Sequence, residues 1–130
     1  MKPIKVVCGL IWKDNKIFIA RRKPEKSLAG FWEFPGGKIE MNELPELALT
    51  RELKEELSMV VEKLKYFGTN IYQYKTFKIE LIAYDCFFKE GTFQLTDHDL
   101  YQFVSVNELN DYKFAPADIY FVEQLLNSIR

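Results

Sequence analysis

The sequence predicts a mixed α/β fold, a sheet of several strands covered by helices. Three observations predict it. Apolar runs rich in β-branched and aromatic residues recur along the chain, each bounded by turn residues. Two stretches carry apolar residues at helical spacing. The first of these lies between the strands, which is the pattern of a mixed sheet with helices laid on it. At 130 residues the chain has the length of one ordinary domain, read here as 1–130.

The elements follow in order. Ile4 to Trp12 is apolar and β-rich, Asp14-Asn15 supplies a turn, and Lys16 to Arg22 is the return strand of a hairpin. Arg22 to Gly30 is polar and reads as a loop. Phe31 to Phe34 is a short strand or turn entry, stopped by Pro35-Gly36-Gly37. Leu44 to Leu57 is the main helix, with Pro45 in its first turn and Glu46 placed to complement the helix dipole. Lys63 to Tyr74 and Phe77 to Phe88 read as two more strands. A polar loop follows within Asp85 to Asp99, then a strand from Tyr101 to Val106 and a short turn from Asn107 to Leu109. Ala115 to Ile129 is a second helix, with Pro116 at its start. Its apolar stripe of Ile119, Val122, Leu125, Leu126 and Ile129 is expected to face the core.

Composition removes several classes of function. Hydrophobic residues make up 48% of the chain, too many for disorder. A net charge of -1 gives no electrostatic case for duplex nucleic acid, although Arg21-Arg22-Lys23 form a small basic patch. Cys8 and Cys86 sit in apolar runs and read as buried, reduced thiols. His98 is the sole histidine, which leaves little basis for a histidine metal site or a Ser-His-Asp triad. No apolar run is long enough to span a membrane, and the start MKPIKVV lacks the form of a signal peptide. The expectation is a soluble cytoplasmic protein without nucleic-acid or membrane partners. The oligomeric state is open, with a monomer favoured.

The chemistry concentrates in GKIEMNELPELALTRELKEELSM, from Gly37 to Met59. Glu52, Glu55 and Glu56 stand at i, i+3 and i+4, on one face of the predicted helix. Three like charges there repel. A solvated surface face is the ordinary explanation of a Glu cluster, with Lys54 softening the repulsion. A hard divalent cation is the other, because Mg²⁺ takes oxygen ligands and favours one or two carboxylates together with substrate phosphates. The fixed spacing of Gly37, Glu43, Arg51, Glu52, Leu53, Glu55, Glu56 and Met59 decides between them. It resembles the box of the Nudix hydrolases, G-x5-E-x7-R-E-U-x-E-E-x-G-U with U apolar, and departs from it at Ser58, where the box has glycine.

That resemblance implies an α/β/α sandwich and a Mg²⁺-dependent hydrolase, with Mn²⁺ as the alternative ion. It implies that Glu52, Glu55 and Glu56 bind metal, joined by a backbone carbonyl of Gly36 or Gly37. Arg51 is expected to tie the helix to the preceding loop through Glu43, and Glu52 is the first choice of general base. The chain is also similar to the MutT subfamily through Lys16–Arg22, Glu33–Met41 and Phe114–Asp118. MutT-type enzymes split a nucleoside triphosphate into the monophosphate and pyrophosphate. Asp97 falls where such relatives carry a further metal-associated Glu, one methylene longer. Arg22, Phe34, Tyr74 and Asp118 fall at positions that contact the nucleotide, with Phe34 and Tyr74 placed to sandwich a base. Guanine-sanitising members have Asn where Asp118 stands. An ionised Asp accepts but cannot donate, which favours an amino group such as N4 of cytosine, whereas a protonated Asp restores the donor. The substrate candidates are therefore 8-oxo-dGTP, or CTP and dCTP with their 5-substituted forms. A dinucleoside polyphosphate or nucleotide-sugar hydrolase is the alternative within the superfamily, and a nucleotide-sensing module without turnover is the alternative outside catalysis.

Both ends of the main helix depart from the family pattern. Leu44 stands where a capping Thr is common, a loss of about 1 kcal/mol. Ser58 replaces a glycine suited to the left-handed turn after a helix, at a cost of roughly 1–2 kcal/mol. Packing of Leu47, Leu53 and Leu57 is expected to offset these terms.

Overall fold

Strand β1 (Ile4–Lys13) organises the sheet, and its uniformly apolar middle is explained by helices on both sides. The computed structural model describes residues 2–128, so Ile129 lies outside the described residues. Around β1 are β2 (Lys16–Arg22), β3 (Trp32–Glu33), β4 (Gly36–Lys38), β5 (Met59–Gln73), β6 (Lys78–Gly91) and β7 (His98–Val104). The order is β3-β2-β1-β6-β5, with β4 also on β1 and β7 also on β2. β1 runs parallel to β6 from Ile4 to Trp12 and antiparallel to the others it touches.

Pairing alternates faces along each strand, as a side-chain period of two requires. Val7 and Ile11 of β1, with Phe18 and Ala20 of β2, face helix α1 (Pro45–Leu57) and meet Leu49, Leu53 and Leu57. Cys8 and Leu10, with Ile17 and Ile19, face helix α2 (Pro116–Ser128) and meet Phe121, Val122 and Leu125. Each of these large side chains contributes roughly 1.5–3 kcal/mol on burial. The result is the α/β/α sandwich.

Several expectations change in detail. β3 stops at Glu33, ahead of Pro35, but Gly36 and Gly37 do more than stop a strand. They form one, because β2 pairs with β1 only at the hairpin end, through Trp12–Ile17 and Lys13–Lys16. The other half of that β1 edge is left for β4, which pairs Val6–Cys8 with Gly36–Lys38. β5 begins at Met59 rather than Lys63, and register shifts near Lys63 break the period that would have revealed the earlier start. Ile119 and Leu47 are exposed, and Phe121 takes the core position on α2 instead. His98 is no loop residue; it opens β7 and is buried. Cys8 and Cys86 are free and buried, as expected.

Candidate functional site

A cleft of about 520 Å³ opens where β4 wedges against β1 and runs to the start of α2. Its walls include Arg22, Phe34, Gly36, Gly37, Tyr74 and Asp118, with Glu52 and Glu56 of α1 at one end. The two glycines answer to close approach. A Cβ on Gly36 would run into the carbonyl of Val7, and one on Gly37 would run into the Glu52 carboxylate. Gly37 thus provides the space in which Glu52 lies against the backbone of β4.

Arg51 holds this end together. Its guanidinium donates to both carboxylate oxygens of Glu43, at 2.9 and 3.0 Å. It donates further to Glu52 Oε1 at 2.8 Å and to the Lys38 carbonyl at 3.1 Å. The bidentate grip pulls the Glu43 carboxyl down to about 2, with the Arg51 hydrogen bonds as the main cause and the Glu40 amide second. The helix is therefore tied both to the loop before it and to the end of β4.

Glu56 lies deeper. Burial first, then contact with the carboxyl groups of Asp97 and Glu52, pushes its pKa up to about 10. Asp97 moves the other way. Burial raises it, but hydrogen bonds to Glu56 and Lys26 outweigh that and hold it below its usual range. Glu56, Asp97 and Glu52 thus form a close group of acids at this end of the cleft, whose charge a hard cation is suited to neutralise. Asp97 reaches this position because Thr96 clips its loop to the end of α1, its amide and hydroxyl each donating to the Glu56 carbonyl at 3.3 Å. Glu55 is exposed and turned toward Arg51 at 3.4 Å, outside the cleft wall. Among the described residues no three His, Cys, Asp or Glu side chains form a ready-made metal cage. A cation that keeps several waters and shares its shell with phosphate oxygens needs only one or two carboxylates, so the donor set fits such an ion.

The other end of the cleft is aromatic and apolar. Phe34 packs against Phe114 with ring centres 5.1 Å apart, and Tyr74 stacks on Phe77 at 5.1 Å. The Tyr74 hydroxyl accepts from the Ala117 amide at 3.1 Å, which ties β5 to the start of α2. Asp118 is buried, and its Oδ2 accepts from the Phe34 amide at 2.9 Å. Burial and the nearby Glu33 carboxylate raise its pKa well above the usual range, against the opposing pull of the Phe34 amide. Arg22 donates to the Ser27 carbonyl at 3.2 Å and lies 3.6 Å from Glu33.

Among the wall and contact residues without a role in the sequence reading are Glu33, Phe77 and Lys26. Glu33 stands beside Phe34 within the matched Glu33–Met41 run, so its neighbourhood was visible. Phe77 and Lys26 lie in turns, where only the folded chain brings them to the cleft and to Asp97.

The NUDIX domain family matches residues 6–124. The CTP pyrophosphohydrolase of Escherichia coli (strain K12) is 36% identical over 126 residues, which cover 97% of this chain and 93% of that protein. An 8-oxo-dGTP diphosphatase of Buchnera aphidicola subsp. Schizaphis graminum (strain Sg) is 31% identical over 129 residues, which cover 99% and 98%. The solution structure of the E. coli ORF135 protein matches with a TM-score of 0.82 at 36% identity, covering 100% of this chain and 94% of that one. The chain belongs to the Nudix family. Nudix hydrolases generally use divalent metal ions, in keeping with the carboxylates gathered at the α1 end of the cleft. No helix among the described residues is long and apolar enough to cross a membrane.

Proposed function

We propose that the chain is a MutT-like nucleoside triphosphate pyrophosphohydrolase, converting a triphosphate and water to the monophosphate and pyrophosphate with Mg²⁺, or Mn²⁺ as the alternative ion. One observation carries this reading: a single cleft joins base-facing groups, Phe34, Tyr74 and Asp118, to the carboxylates Glu52 and Glu56. Such a cleft offers one end to a base and the other to phosphates. The full-length relatives named for CTP and 8-oxo-dGTP support the same reaction type.

The proposed roles are as follows. Glu52 and Glu56 on the cleft wall are the proposed metal carboxylates, with a carbonyl of Gly36 or Gly37 and with Asp97 beside Glu56; the family resemblance adds Glu55, which lies outside the wall and turned to Arg51. Bound Mg²⁺ supplies positive charge to the phosphate oxygens and the attacking water. Glu52 takes the proton of that water, and Arg51 aims its carboxylate without leaving α1. Arg22 meets phosphate. Phe34 and Tyr74 present aromatic surface to the base. Asp118 reads the base edge with the carboxyl group whose Oδ2 already holds the Phe34 amide. If protonated it donates to a carbonyl such as O6 of a purine; if ionised it accepts from an amino group such as N4 of cytosine.

Incubation with Mg²⁺ and a panel of 8-oxo-dGTP, dGTP, CTP, dCTP and 5-methyl-dCTP tests the proposal. Monophosphate and pyrophosphate are the expected products. Orthophosphate as the sole phosphate product overturns it, as does turnover confined to dinucleoside polyphosphates or nucleotide sugars. Glu52→Gln is expected to lower the rate by about 10²–10⁴-fold, the usual weight of a general base. Asp118→Asn is expected to reorder the panel.

A further inference from the structure

The sole histidine is spent on neither metal nor catalysis in the reading above, yet it is among the most enclosed polar groups of the chain. The His98 side chain has 0% exposure. Its Nε2 lies 2.8 Å from Glu33 Oε2, on the cleft wall. Its Nδ1 is buried and finds no hydrogen-bond partner among the described residues. A buried N–H left unpaired is rarer and costlier than an unused acceptor lone pair. The proton therefore sits on Nε2, aimed at Glu33, and Nδ1 carries the lone pair.

The backbone gives this contact its reach. His98 directly follows Asp97, whose carboxyl meets Glu56 and whose carbonyl accepts from the Lys23 amide at 3.2 Å. Glu33 stands in β3, one residue before Phe34, whose amide holds Asp118. His98 also stands at a register irregularity, since the β2–β7 pairing skips a residue between Arg21–Leu100 and Arg22–His98. One ring thus spans from the start of β7, just after Asp97, to β3, just before Phe34.

We propose that His98 is a positioning residue that holds the Asp97 loop in register with the Glu33–Phe34 wall, so that the carboxylate end and the base end of the cleft keep a fixed separation. The inference rests on the triphosphate pyrophosphohydrolase reading. It makes the hydrogen bond from Nε2 to Glu33 the joint between the two ends. Loss of that joint lets Asp97 drift from Glu56 and lets the β3 wall relax.

The test compares H98Q, which keeps an N–H donor at the ε position, with H98M, which has similar reach and no donor. Kinetics on the triphosphate that the wild type hydrolyses best are read as kcat and KM separately, beside melting temperature. H98M is expected to lose about tenfold or more in kcat/KM, the usual weight of a hydrogen bond to a charged group, and H98Q to recover most of it. Because part of the loss acts through Asp97, D97N combined with H98M should lose less in kcat than the product of the two single losses. Equal losses in H98M and H98Q that track their melting temperatures, or full additivity with D97N, overturn the proposal. So does wild-type kinetics in H98M. A nitrogen-15 spectrum of the imidazole supplies a readout independent of turnover: a slowly exchanging Nε2–H is expected, lost in E33A, and a proton on Nδ1 overturns the assignment. An inactive wild type would refute the pyrophosphohydrolase reading instead, leaving the tautomer result to stand or fall by itself.

Discussion

Arg51 and Gly37 together decide where Glu52 points, one by holding its carboxylate and the other by leaving room for it. Gly36 and Gly37 look alike in sequence but answer to different neighbours. A Cβ at Gly36 meets the backbone of β1, which cannot yield, whereas one at Gly37 meets the far end of the Glu52 side chain, which can. Gly36→Ala should therefore lower the melting temperature markedly. Gly37→Ala should melt close to the wild type yet lose most of its turnover, because Glu52 swings out of place; a Gly37→Ala enzyme of normal rate would sink the assignment of Glu52. Glu43 gives a pH signature. Its folded pKa of about 2 lies below an ordinary 4.5, so the unfolded chain binds more protons there as pH falls. The stabilisation from its pairing with Arg51 is complete above pH 4.5 and is lost as pH drops through about 2. The gap in melting temperature between wild type and Glu43→Gln should accordingly narrow across that window, and a gap independent of pH would show that the pair contributes nothing.

At the scale of elements, α1 carries the chemistry on a scaffold with two weak ends. Leu44 has the extended backbone of an N-cap, φ −72° and ψ 142°, but makes no side-chain cap. Ser58 sits in the left-handed region at φ 51° and ψ 44°. The Leu49, Leu53 and Leu57 face buried against the sheet compensates, without Leu47. Leu44→Thr and Ser58→Gly should each add about 1 kcal/mol. That corresponds to roughly 3–5 °C in melting temperature for a domain of this size. No change in kcat is expected, since neither residue touches the cleft carboxylates; denaturant titration and steady-state rates check both halves of the claim. The same helix was the most legible element, because Pro45 and Glu46 in its first turn and its apolar spacing are local signals. β4 was not legible. Nothing in Pro35-Gly36-Gly37-Lys38 looks like a strand, and only the unpaired edge of β1 makes it one. Ile119 and Phe121 were misjudged for a related reason: both fit an apolar stripe, and the sheet's position alone decides which is covered.

Across the whole molecule, the sequence located the carboxylates better than it located what surrounds them. Gly37, Glu43, Arg51, Glu52 and Glu56 are fixed by spacing along one helix and its entry loop, so their meeting was visible in advance. Asp97 and His98 are neighbours at the entry to β7, but the residues they meet, Glu56 and Glu33, lie far away in the chain, and chain spacing holds no record of those contacts. Cys8 and Cys86 report on the integrity of that assembly. Cys8 faces α2 and the cleft, Cys86 faces α1, and both are essentially inaccessible. Burial, then the Asp118 and Glu33 charges, pushes the Cys8 thiol far up, and burial followed by Asp85 pushes Cys86 up to about 12. At about pH 8 the Cys86 thiolate is roughly one part in ten thousand, so reaction with a disulfide reagent must wait for the structure to open. Native protein should therefore label negligibly over minutes, and denatured protein should release two equivalents, one for each cysteine. A bound nucleotide with divalent cation at about 100 times its dissociation constant should slow labelling about a hundredfold, because opening then competes with binding. Both thiols should slow together if opening is global. Slowing confined to Cys8 would mean that reagent reaches it through the cleft, and rapid labelling of Cys86 in native protein would contradict the sandwich packing itself.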